Sequence, residues 1–200
     1  MSNNSKPKKV NTPPFRVSYA NVFKPRENNL SGNSEFGLTA LFPKGADLSA
    51  LYAIAEEAAK TKWPNGVPKG IRSPFRDQGE KAKQHDDGSE SLPDGYEAGC
   101  TFINMKSVKR PGVVDQNVQP ILDESEFYSG CWAIASVNAY AYDNKGNKGV
   151  SIGLINVQKI KDDEALSGRS TPQDDFKPIA AAVNENGGGA AKTSQDRIFG

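Results

Sequence analysis

The sequence predicts a small, mainly β protein: an antiparallel barrel or sandwich of about five or six strands, with one α-helix and long loops. Three observations carry this expectation. Segments with a two-residue hydrophobic period recur along the chain, one segment has the three- and four-residue period of a helix, and strands do not alternate with helices as parallel crossover units require.

Taken in order, FRVSYANVFK from Phe15 to Lys24 places Phe15, Val17, Tyr19 and Phe23 at odd positions, the pattern of a half-buried strand. EFGLTALF from Glu35 to Phe42 repeats it with Phe36, Leu38, Ala40 and Phe42 on one side. Between Asp47 and Trp63 the period changes, and Leu48, Leu51, Tyr52, Ala55, Ala58 and Ala59 form a helical stripe. Asp47 suits its N-cap, Lys60 and Lys62 suit its C-terminal dipole, and Pro64 stops it. Residues 64–98 form a long Pro/Gly-rich connection, of the kind that in a compact domain is functional or disordered. Strands resume with CTFINMKSVK from Cys100, a short one within Val113 to Leu122, a long one from Phe127 to Tyr142, and VSIGLINVQKI from Val150. The last two are joined by DNKGNKG, whose Asn, Asp and Gly residues tolerate the positive φ of a tight hairpin turn. From Gly168 the periodicity ends, and the composition is that of a flexible tail. The expected organisation is a basic arm over residues 1–12, a binding domain over 13–176 and a tail over 177–200.

With 200 residues, 36% of them hydrophobic, the chain is long enough for one core. It contains no apolar run of about 18 residues that would span a membrane. The basic N-terminal segment has no apolar stretch behind it, so a secretory signal is not expected and a cytosolic compartment is the default. Two cysteines and one histidine give no zinc-ligand spacing, so neither metal nor cofactor is expected. Net charge is only +1 but unevenly spread. Lys6, Lys8, Lys9, Arg16, Lys24 and Arg26 give +6 before residue 27, with no acidic residue among them. From Asp162 onward, seven acidic residues against four basic ones leave −3. Such asymmetry suits a polyanion at the basic part.

The run YSGCWAIAS, Tyr128 to Ser136, resembles the nucleophile segment of papain-like cysteine proteases. That chemistry needs an imidazole downstream of the cysteine, and no histidine follows Cys131; His85 lies upstream in a hydrophilic loop. Strand parity says more. Cys131, Ala133, Ala135, Val137 and Ala139 make a small apolar face suited to a tightly curved interior. The opposite face carries Tyr128, Trp132, Tyr140 and Tyr142, with Ser136 and Asn138 among them. Outward aromatics of this kind form a stacking platform for unpaired bases, each stack contributing roughly 1–3 kcal/mol. A polyanion also needs cations. The candidates for phosphate are Lys106, Lys109 and Arg110, the loop residues Lys69, Arg72, Arg76, Lys81 and Lys83, and Arg16 and Lys24 on the first strand. Phe75, between Arg72 and Arg76, is a further stacking candidate. Asp115, Asp123, Glu124 and Glu126 would suit a metal-dependent nuclease only if they converged, and a structural virion barrel without nucleic acid is the other alternative.

The segments IRSPFRDQGEK, GCTFINMKS, VVDQNVQPI, DESEFYSGCWAIASVNAYAYDNKGNKGVSIGLINVQKI and LSGRSTPQDDF resemble, in that order, the tailed-phage single-stranded DNA-binding proteins long catalogued as a domain of unknown function. The resemblance covers most of residues 12–176. It implies an OB-fold-like barrel that binds single-stranded DNA without sequence preference, is not an enzyme, and protects DNA during phage replication and recombination in the cytoplasm of the infected host. The chain departs from the standard OB order, because its helix follows two strands rather than three. The resemblance also implies an acidic tail closed by an aromatic, here offered by Asp174, Asp175 and Phe176 or by Phe199, as a contact for phage or host replication and recombination proteins.

Overall fold

The architecture follows from how small side chains let a sheet curve. In a computed structural model of the chain, residues 8–27, 32 and 34–166 are described. They form β1 (Val10–Asn11), β2 (Phe15–Glu27), β3 (Ser34–Leu41), α1 (Ser49–Lys62), β4 (Arg76–Asp77), β5 (Lys83–Gln84), β6 (Glu90–Ser91), β7 (Thr101–Ser107), β8 (Gly112–Val114), β9 (Trp132–Asn144) and β10 (Asn147–Lys161). Cys131, Ala133, Ala135, Val137 and Ala139 are all buried, so the small face expected of the long strand does line the interior. Opposite them sit Phe15, Val17, Leu38, Ala40, Ile103, Met105, Ile152 and Leu154, in the same core cluster.

Five strands close into a ring: β2 pairs β3, β3 pairs β7, β7 pairs β10, β10 pairs β9, and β9 returns to β2. All of these pairs are antiparallel except β7 with β10, giving an OB-type barrel. β1 and β8 extend the sheet outside the ring. The two-residue turn at Lys145 and Gly146 has positive φ at both positions, as the hairpin sequence predicts. Helix α1 follows the second ring strand, where the sequence places it, and buries Leu51, Ile54, Ala55 and Ala59 in the barrel core. Its N-cap is Leu48 rather than Asp47; the Asp47 carboxylate accepts the Ser49 N–H at 2.9 Å, a bond that holds its pKa below the ordinary value.

The short β1, β4, β5 and β6 lie in segments expected to be arm and connection, and two of the expected strands differ in detail. The long strand begins at Trp132, not Phe127: Phe127 is buried, and Tyr128 lies in the turn before the strand. The first strand keeps its alternation only through Ser18. A register shift between Ser18 and Asn21 puts Tyr19 at φ 48° and turns it outward, 54% exposed, while Val22 takes the inward position. A bulky residue in the left-handed region costs about 1–3 kcal/mol and persists only where its surroundings hold it. Here Asn21 Nδ2 donates to the Tyr19 carbonyl at 2.9 Å, and the Ala20 N–H donates to Ser129 Oγ at 3.3 Å.

Candidate functional site

The candidate cations and rings do not converge on one groove; the barrel gathers some of them at three places and leaves the rest apart. The first is the start of β9, where the chain's own continuation past β10 covers them. Trp132 Nε1 donates to Asp163 at 2.7 Å, and the Lys161 ammonium sits 4.9 Å from its ring centroid. The Tyr128 hydroxyl lies 2.9 Å from both Asp162 Oδ1 and the Asp163 carbonyl, with Lys159 over its ring. Arg16 donates to the carbonyls of Gly130 and Glu164 and approaches Asp163. The Leu166 N–H donates to the Ser129 carbonyl. Gly130 is required here: its φ is 126°, and a Cβ would collide with the Glu164 carbonyl. The indole bond is the main cause that lowers the Asp163 pKa, and the bond to Lys159 that of Asp162.

The second place is the β9–β10 hairpin tip. Residues 69–72 run beside it, with the Arg72 N–H donating to the Lys148 carbonyl and the Val150 N–H to the Arg72 carbonyl. Lys69, Arg72, Asn147 and Lys148 line a shallow basin of about 260 Å³. Tyr142 lies across Gly149, its hydroxyl 2.5 Å from where a Cβ would stand. Tyr140, two pairs further from the tip, is 47% exposed.

The third is a cleft of about 590 Å³ on the outer face of β2, β3 and β7. Its lining includes Tyr19, Asn21, Phe36, Gly37, Thr39 and Asn104, and its cations are Arg26, Lys81 and Lys106. Glu27 and Glu35 line it as well, and Glu35 pairs with Lys106 at 2.8 Å. Thr39 Oγ1 donates to Asn104 Oδ1 at 2.8 Å, which orients that amide. The outward row Gly37, Lys106, Gly153 and Asn138 runs from this cleft across β3, β7, β10 and β9 toward Tyr140. Two of its four members lack a side chain, and the Asn138 amide oxygen leans over Gly153.

The remaining candidates lie apart. Phe75 stacks on Tyr52 of α1 at 4.0 Å, and Lys24 pairs with Glu124. Arg76 pairs with Glu80 and, like Lys81, stands over the Phe102 ring. Arg110 sits over Phe23; Lys109 follows β7, and Lys83 lies in β5. Asp174, Asp175, Phe176 and Phe199 lie outside the described residues. Asp123 and Asp115 accept backbone N–H groups of their own turns, and no metal-binding group of acidic, His or Cys residues occurs among the described residues. Burial pushes the Cys131 thiol up, away from thiolate, and His85 bonds to Ser91 instead. Among the described residues, the buried Ser136 Oγ has no hydrogen-bond partner.

Tyr19, Asn21, Phe36, Thr39 and Asn104 were not legible as surface groups of one cleft. The available signal was Asn21 itself, a polar side chain at an odd position where continued alternation requires an apolar one.

The sequence profile of the family described as "Enterobacter phage Enc34, ssDNA-binding protein" matches residues 8–187. Protein p50 of Acyrthosiphon pisum secondary endosymbiont phage 1 is 28% identical over 174 residues, spanning 85% of this chain and 93% of its own. The solved structure of the single-stranded DNA-binding protein from bacteriophage Enc34 in complex with ssDNA is similar with a TM-score of 0.62 at 22% identity, over 80% of this chain and 89% of that one. That of gp2.5, a single-stranded DNA-binding protein encoded by bacteriophage T7, gives 0.58 at 17% identity, over 92% and 100%. The structural likeness establishes a shared fold.

Proposed function

The chain belongs to the family of the Enterobacter phage Enc34 ssDNA-binding protein, and from that premise we propose that it binds single-stranded DNA without sequence preference and without catalysis. The family match, which spans residues 8–187, is the observation that carries this reading. Its role is to cover DNA exposed during phage replication and recombination in the host cytoplasm. The partner engages the outer barrel wall between the cleft and the hairpin tip. Tyr140 and Tyr142 offer ring faces, Lys81 and Lys106 take phosphates at the cleft, and Lys69 and Arg72 take them at the basin. Trp132, Tyr128 and Arg16 act at one remove, by anchoring the segment that leaves β10.

Fluorescence anisotropy with labelled oligo(dT) and with duplex of equal length, each at two salt concentrations, tests the proposal. Preference for oligo(dT) that weakens with added salt is expected. Absence of binding at low salt, or equal affinity for duplex, overturns it.

A further inference from the structure

We propose that the cleft at the β2 bulge is a nucleobase pocket, in which one unstacked base lies against the outward ring of Tyr19 and thereby favours single strands over duplex. This rests on the reading that the chain binds single-stranded DNA. Four observations converge on it.

First, the backbone of Tyr19 is strained: at φ 48° a glycine or asparagine sits without the penalty a bulky ring incurs. The bonds from Asn21 and Ser129 hold that conformation, and its effect is to turn the ring out of the barrel. Second, the ring is uncommitted. Tyr52 stacks on Phe75, Tyr96 bonds to Ser18 and Tyr128 is tied to Asp162. The Tyr19 hydroxyl has no hydrogen-bond partner among the described residues, and the residue is 54% exposed. Third, the cleft beside it is about 590 Å³, within the range of roughly 300–1,000 Å³ typical of small-ligand sites. Phe36 and Gly37 line it, and the Asn104 amide, its oxygen taken by Thr39, has among the described residues no partner for its donor, which is left for a base edge. Fourth, Lys106, Lys81 and Arg26 surround that space, where the phosphates flanking an inserted base would fall, and Lys106 exchanges its bond to Glu35 for one of them. A base paired and stacked in a duplex cannot enter such a pocket without leaving its helix, so the ring selects strands that are already open.

Tyr19→Asn and Tyr19→Gly tolerate the positive φ and remove the ring. Both are expected to melt at or above the wild-type temperature while oligo(dT) affinity falls about 5- to 150-fold, the equivalent of one base–aromatic stack of roughly 1–3 kcal/mol. Tyr19→Phe should bind as wild type does. Full-strength binding by Tyr19→Asn overturns the proposal, as does a loss in Tyr19→Phe equal to that in Tyr19→Asn. Photocrosslinking of the wild-type protein to 5-bromodeoxyuridine-substituted oligo(dT) should map to Tyr19 or Phe36, and a map confined to other peptides also overturns it. Wild-type protein that binds no oligo(dT) removes the parent reading instead, which separates the two failures.

Discussion

Trp132 and Tyr19 are both large rings on the outer wall of one barrel, on paired strands, yet their surroundings differ. The indole is claimed on its edge by Asp163 and on its face by Lys161, residues about thirty positions later that return over it. Among the described residues Tyr19 has neither kind of partner, and its backbone is held in a strained conformation that keeps it outward. An outward aromatic is therefore not by itself a ligand contact. What decides is whether the chain's own groups already satisfy its face and its polar atom, and whether conformational energy is spent on presenting it.

The contrast can be broken or sharpened in order of effect. Phe102 supports both regions: Leu166 packs on its cluster beside the Trp132 cover, and Lys81 of the cleft stands over its ring. Phe102→Ala should cost about 3–5 kcal/mol in urea unfolding, with indole environment and DNA binding disturbed together. Disturbance of one alone would uncouple the regions. Trp132→Ala is next: a loss of about 1–3 kcal/mol of stability is expected, with oligo(dT) affinity little changed. A large affinity loss at unchanged melting temperature would transfer the stacking role to Trp132 and reverse the comparison. Glu35→Gln frees Lys106 for phosphate, and should raise affinity about 1.5- to 5-fold at low salt, the worth of an exposed ion pair, with the gain shrinking as salt rises.

The smallest effect is pH. The Asp163 carboxyl is held below its ordinary value by the indole bond, the Glu164 N–H and nearby cations. A folded pKa below the unfolded one contributes stability that is complete above the ordinary carboxylate value, about 3.9, and is lost as pH falls through the lowered one. In a Trp63→Phe background, Trp132 emission should therefore hold steady from neutral pH down to that range and change only below it. A transition near neutral pH would contradict the Asp163 assignment.

Much of the fold was readable because its signals are local. The alternation of Cys131, Ala133, Ala135, Val137 and Ala139 depends only on the two-residue strand period, and the helical stripe through Leu51, Ala55 and Ala59 only on helix geometry. The hairpin turn at Lys145 and Gly146 is likewise written in four consecutive residues. Of the site, Lys81, Lys106, Lys69, Arg72, Tyr140 and Tyr142 were legible as residue types facing outward, but not which of them share a surface.

What the sequence alone determined is thus the barrel's inner wall, its helix and its charge asymmetry, each a consequence of periodicity or composition. The tertiary structure decided the rest. A bulge between Ser18 and Asn21 reversed the parity of β2 because Ser129, more than a hundred residues away, could hold it, and Trp132 was covered because the chain past β10 returns to it. Which ring stays open depends on partners distant in sequence, and no local period carries that information.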